Sequence, residues 1–287
     1  MQKNRVLAKL LLIPGLAAVL LLLILPLVGI IRFSFEGRSA SSFSDGTFTF
    51  ENYARVFTDA RFLGIIVRTF LIALGTTLLS LLYALPISYY LGRASERVKS
   101  VLTIVILFPL LTGNVVLSVG WVAILSPSGI LSQLFQSLGV LDGPLEIMRT
   151  VGTLAFLMSL VNLPMIVLSM QGNVDQVGVS TERAAYSLGA SRFRAYRQIL
   201  LPQYLPGIVA GTSLSFVLTV NAYATPTLIA GSKVAVAAPE IYALVSIDGN
   251  WPLGGAFALI VVALSFLITS LFTWFASRSV EKWQVTR

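Results

Sequence analysis

An all-α, polytopic membrane fold with six spanning helices is predicted by three observations. Hydrophobic residues make up 56% of the chain and charged residues only 11%. Apolar runs of roughly 20 residues recur, the length that crosses a hydrocarbon core of about 30 Å. The basic residues gather in short segments between those runs, as membrane orientation requires. The formal charge of +8 comes without a basic domain or a base-stacking aromatic pattern, so nucleic acid is not an expected partner. Cysteine and histidine are both absent, which excludes disulfide frameworks, thiolate chemistry and the commonest zinc sites.

The first apolar run covers residues 6–31, with Pro14 and Pro26 near its ends and Lys3, Arg5 and Lys9 around its start. A signal h-region is only about 7 to 15 residues long, so a retained first span is expected. Ala40-Ser41-Ser42 is the one feature that speaks for cleavage. Residues 32–62 are too polar for lipid, and an external loop is expected there, with a short helix near Asn52 to Phe57. Further spans are predicted over 63–91, 101–125, 150–170, 204–230 and 254–276, within a single transmembrane domain over 1–287. A polar connection over 171–203 separates the fourth and fifth spans.

Orientation follows from lysine and arginine. Thirteen of the twenty fall on the side of the N-terminus and seven on the other, whose loops are longer. The positive-inside bias then predicts cytoplasmic termini, and it places the 181–202 segment in the cytoplasm as well.

That segment, TERAAYSLGASRFRAYRQILLP, is patterned beyond what a connector needs. Ser180 or Thr181 is placed to N-cap a short helix, with Glu182 in its first turn where the helix dipole favours a carboxylate. Ala184 and Ala185 keep one face narrow. Gly189 offers a left-handed conformation at the helix end, so that Arg192 to Leu200 starts a second helix at another angle. A narrow helix ending at a sharp corner suits insertion into a partner's pocket. The alternative is an amphipathic helix lying at the lipid interface with its arginines near phosphates.

The alanine pair, Gly189-Ala190 and Leu201-Pro202 together resemble the EAA loop of the permease subunits of ABC importers. The resemblance implies a type I importer permease (MetI-like) architecture in a bacterial inner membrane. It implies a second homologous permease subunit or a copy of this chain, a cytoplasmic ATPase dimer, and a periplasmic solute-binding protein. Glu182, Arg183, Ala184, Ala185, Gly189 and Ala190 become the expected ATPase-coupling residues. Aligned on Gly189, Arg183 stands where the family has glutamate, and Glu182 lies one residue earlier, about 100° around the helix. The stretches AAYSLGAS, PGIVAG and AYATPTLIAG look most like the spermidine/putrescine group. A small, polar, nitrogen-containing solute is the implied cargo, with opines, phosphonates and other solutes of related permeases as alternatives.

Polar residues within the spans mark the expected solute path, because they are costly in lipid and turn toward the protein interior or a cavity. Asn221, Tyr223 and Thr225 precede or flank Pro226, which should break the helix. Asn114 and Ser118 share a helix face, with Trp121 one turn on. Asn162 precedes Pro164, where capping a freed backbone group competes with a path role. Trp121 and Trp251 also suit an aromatic belt at the interface. Gly207, Gly211, Ser215 and Thr219 recur every fourth residue and predict a face open to close helix approach.

The absences narrow the mechanism. No aspartate, glutamate or lysine lies in the middle of a predicted span, which weakens a proton-coupled carrier. A sodium-coupled carrier stays open, since carbonyls and hydroxyls can bind sodium. No Gly-x-x-x-x-Gly-Lys-Ser/Thr loop is present, so ATP and magnesium are expected only on a partner chain. No catalytic or metal-binding constellation is found, and a non-catalytic transport subunit is the expectation.

Overall fold

A computed structural model of the chain describes residues 2–39 and 43–285. The Ala40-Ser41-Ser42 stretch and Arg287 lie outside the described residues. The described chain is helical, and six helical stretches are long and apolar enough to cross a membrane. They are Ala17–Ser34, Ala60–Leu91, Asn114–Ser137, Val151–Val177, Arg192–Val220 and Trp251–Ala276.

Contacts divide the chain into two units. The first combines Met1–Gly64 with Glu240–Val262. It begins with α1 (Gln2–Ser34), in which Pro14 and Pro26 are accommodated. The polar segment after it holds one short helix, α2 (Glu51–Thr58), close to the expected position. Asn52 ties that helix down by donating to the Ser34 and Glu36 carbonyls. Phe35 adds a ring cluster with Phe48, Phe50 and Tyr53. Trp251 meets Phe43 edge-on, with ring centroids 4.9 Å apart.

The second unit combines Ile65–Pro239 with Ala263–Arg287 and contains both regions singled out from the sequence. The long helix α3 (Ala60–Leu91) leads into it. The third span was expected as one helix over 101–125, but the chain instead forms α4 (Glu96–Thr112) and α5 (Asn114–Leu125). They are interrupted at Gly113, whose φ of 80° is not helical. The first of the two is 17 residues long, and the span-length stretch begins at Asn114 and continues through α6 (Ile130–Ser137).

Helix α7 (Val151–Ser187) starts where Thr150 accepts a hydrogen bond from the Thr153 amide. It then runs unbroken for 37 residues. No separate helix begins at Ser180 or Thr181, so neither is an N-cap and Glu182 is not in a first turn. The reason is local: between Pro164 and Gly189 nothing obliges the i→i−4 ladder to stop, and a helix with satisfied amides needs no cap.

After the Gly189 corner come α8 (Arg192–Ala195), a π-helical turn over Tyr196–Leu200, and α9 (Leu201–Val220). Pro202 therefore does not turn the chain into the next span. It lies within a continuing helix, and the wider π-turn before it accommodates its missing amide. The following span was expected over 204–230, but α9 stops at Val220 and α10 (Ala224–Ile229) starts after a break at 221–223. Pro226 falls in the first turn of α10, where its missing amide costs no helical bond. The chain closes through α11 (Ala237–Tyr242) and α12 (Trp251–Val285).

Helices α7 and α9 approach each other closely. A Cβ added at Gly211 would lie 2.7 Å from the Ile166 Cα, and one at Gly207 would lie 2.7 Å from the Met170 Cα. The stripe of small residues therefore lets two backbones meet, as its spacing predicts.

Candidate functional site

Two features of the second unit could carry function: the corner at 183–190 with the network behind it, and a cavity between helices. The corner is built by the end of α7. Gly189 takes φ +84°, the Gly189 amide donates to the Tyr186 carbonyl, and the Ala190 amide donates to the Ala185 carbonyl. These two bonds form a Schellman motif, which satisfies the terminal carbonyls and turns the chain sharply. Ser191 then caps α8 by accepting from the Arg194 amide.

Glu182 anchors the corner from behind. Its side chain is 8% exposed and pairs with Arg93, 20% exposed, just past the end of α3. The Arg93 Nε donates to Glu182 Oε2 at 2.6 Å, and Nη2 donates to the same oxygen. The Tyr89 hydroxyl donates to Oε1 at 2.7 Å, and the Tyr186 hydroxyl donates to it from one turn along α7. The Arg93 guanidinium also lies over the Tyr89 ring, 3.6 Å from its centroid, a cation–π contact that the surrounding burial strengthens.

Burial alone would push the Glu182 carboxyl up, but bonds from Tyr186, Tyr89 and Arg93 outweigh it and hold the group below its ordinary 4.5. Glu182 lies beyond the Val151–Val177 span. A carboxyl whose folded value is depressed stabilises above its unfolded value and loses that contribution as pH falls through the folded one. The melting temperature of the wild type should therefore exceed that of Glu182→Gln at pH 7, and the gap should close below about pH 4.5. A gap that persists unchanged at pH 3 would contradict this linkage.

The alanine pair is split by the helix. Ala185 is buried while Ala184 faces outward with Arg183, Ser187 and Gly189. Ala190 is half-buried. Two large apolar side chains that the sequence reading passed over complete the outer surface: Leu188 is 88% exposed and Phe193 is 72% exposed. They were readable only as part of an apolar pattern, and nothing local showed that they lack a covering element. Arg93, counted only as an orientation charge, was missed because its partner lies 89 residues away.

The cavity has a volume of about 300 Å³ and brings together Asn114, Asn162, Asn221, Tyr223 and Thr225, with Met158 and Met165 among its apolar lining. Ser118 stands behind it, donating to the Asn114 carbonyl at 2.7 Å, with the Thr225 hydroxyl 3.2 Å from its oxygen. Asn162 donates to the Thr219 hydroxyl at 2.8 Å, so it links α7 to α9 rather than capping a carbonyl freed by Pro164. Asn221 donates to the Val217 carbonyl at the end of α9. Trp121 does not line the cavity; it packs against the buried cluster of Leu125, Leu154 and Ile229. The chain thus supplies a neutral, amide- and hydroxyl-bearing recess where α9 breaks, the kind of irregular backbone tolerated at membrane depth when it lines a cavity.

Residues 84–281 match the family described as Binding-protein-dependent transport system inner membrane component. The chain is 28% identical over 262 residues to the spermidine/putrescine transport system permease protein PotB of Salmonella typhimurium, covering 91% of each chain. It is 28% identical over 228 residues to the inner membrane ABC transporter permease protein YdcU of Escherichia coli, covering 75% of this chain and 72% of that one. Its fold matches a chain in the crystal structure of a bacterial alginate ABC transporter in complex with alginate pentasaccharide-bound periplasmic protein. The TM-score is 0.81 at 15% identity, over 97% of this chain and 96% of that one.

Proposed function

The chain belongs to the family of binding-protein-dependent transport system inner membrane components, and from that premise we propose that its 183–190 corner receives a cytoplasmic ATPase and that the cavity at the α9 break is its half of a solute path. One observation carries the reading: the corner presents Leu188 and Phe193 to the outside while Glu182 and Arg93 clamp it to the end of α3. A rigid projection transmits a partner's movement to the helices it is fixed to, whereas a mobile loop would absorb it. ATP binding on the partner biases inward-open against outward-open states only through a difference in binding free energy, delivered across this contact. A second permease subunit would complete the path, and a periplasmic binding protein would deliver cargo to the opposite face. Both termini and the corner lie on the cytoplasmic side in this reading, supported by the lysine and arginine asymmetry.

The proposed cargo is a small nitrogen-containing solute of the polyamine kind, supported by the relationship to PotB. Asparagine, threonine and tyrosine groups in the cavity can take ammonium groups through oxygen acceptors and the Tyr223 ring. Its neutral lining favours a second reading, in which the solute carries its own compensating charges, as opines and phosphonates do. Either way, selectivity against charge would rest mainly with the binding protein.

Uptake into vesicles containing the whole transporter should require ATP. Gly189→Asp should insert normally yet lose ATP-driven uptake on the order of 10-fold or more, since a β-carbon at φ +84° is strained and the charge alters the docking face. Sodium-driven uptake in vesicles free of any ATPase would overturn the proposal, and so would full activity of Gly189→Asp.

A further inference from the structure

The corner at 183–190 carries one sign of charge. Between residues 176 and 205 the sole carboxylate is Glu182, and it is buried against Arg93, Tyr89 and Tyr186. Arg183, Arg192, Arg194 and Arg197 are exposed, and none of the four is ion-paired among the described residues. They surround an apolar tip made by Leu188 and Phe193. Arg183 also occupies the position where the EAA loop has a glutamate. The neighbouring glutamate does not substitute for it, because both of its oxygens are already taken within this chain.

We infer that the ATPase groove receiving this corner presents carboxylates around an apolar pocket, with an acidic side chain facing Arg183, so that the contact has the opposite polarity to one made by a glutamate. The inference rests on the reading of the corner as the ATPase-docking site. An apolar tip ringed by unpaired guanidiniums is complementary to an apolar pocket rimmed by Asp or Glu, where planar bidentate pairs can form. An anionic lipid surface has the same charge but fits the geometry less well. Asp175, 45% exposed in an ion pair with Lys99, already marks the end of the apolar stretch, and α7 continues twelve residues beyond it to Ser187, which at the helical rise carries the corner about 18 Å onward along the helix axis. The interfacial layer on one side of a bilayer is only about 5 to 8 Å deep. Leu188 and Phe193 are therefore held out where a protein groove, and not headgroups, would cover them.

The test uses the complete transporter in native membranes. A photoreactive benzophenone residue replacing Leu188 reports what lies against the tip. Arg183→Lys, treated with a zero-length carbodiimide, reports whether a carboxylate lies against position 183, because only an adjacent Asp or Glu can form the amide. The expected result is photolabelling of the ATPase together with an amide link from the introduced amine to an ATPase acidic residue. Arg183→Glu should also weaken ATPase association on the order of 10-fold or more, because like charges would then face each other. Arg183→Lys should stay within about 3-fold, as expected of an exposed charge pair. Photolabelling of the ATPase with no amide link, and with Arg183→Glu associating normally, would overturn the acidic groove while leaving the docking site in place. Photolabelling of lipid alone would overturn both.

Discussion

Replacing Glu182 by glutamine, or Arg93 by methionine, is expected to lower the stability of the detergent-solubilised protein by about 3 kcal/mol, the lower end of what breaking a buried pair costs. The remaining partner is the reason. Without Glu182, the Arg93 guanidinium keeps a largely buried positive charge with no carboxylate against it. Without Arg93, the Glu182 carboxylate retains only tyrosine hydroxyls. At roughly 2 to 4 °C per kcal/mol, the apparent melting temperature should fall by on the order of 10 °C. Removing both charges together, as in Glu182→Leu with Arg93→Met, should recover most of this loss, since an apolar replacement of a buried pair is often neutral. Thermal unfolding of the wild type, the two single variants and the double variant checks both expectations. If the single variants melt with the wild type, the network does not hold the corner. ATP-driven uptake provides a second readout: under the proposed function, the single variants lose coupling because the projection is no longer fixed to α3.

Gly211→Leu is expected to cause an equally large defect by another route. Even a single Cβ would lie 2.7 Å from the Ile166 Cα and 3.2 Å from the Ile166 carbonyl oxygen. Those are backbone atoms, so no rotamer change relieves the overlap, and α7 and α9 must separate. Overpacking in a tight interface costs about 1–3 kcal/mol, and two helices forced apart also lose dispersion contacts along their length. The hydrogen bond from Asn162 to Thr219 lies along the same interface and should weaken with it. Ala210→Leu, on the exposed side of α9, is the matched control and should change stability by no more than about 0.5 kcal/mol. Equal melting temperatures for Gly211→Leu and the control would contradict the close approach.

Much of this architecture is legible along the chain, because hydropathy, helix periodicity and glycine conformation are local properties. The positions of four spans, the corner at Gly189 and the small-residue face of α9 follow from residues within a turn or two of one another. The break within the third span is less legible, since Gly113 sits in an apolar run whose hydropathy barely changes. The N-cap expected at Ser180 or Thr181 failed for the opposite reason. Capping residues are favourable where a helix starts, but they do not force a start inside a ladder whose amides are already bonded.

The sequence by itself determined the class: an all-α membrane protein with six spanning stretches, no phosphate loop of its own and a patterned segment between its fourth and fifth spans. Tertiary structure decided what each polar group does. It took Glu182 off the surface by bringing Arg93 against it, left Arg183, Leu188 and Phe193 facing outward, and gathered Asn114, Asn162, Asn221, Tyr223 and Thr225 around one recess. The physical reason is range. A helix face is specified within a few residues, but the partner of a buried charge depends on which helix ends the packing brings together, and here that packing joins Glu182 to Arg93, 89 positions away, and Ser118 to Thr225, 107 positions away.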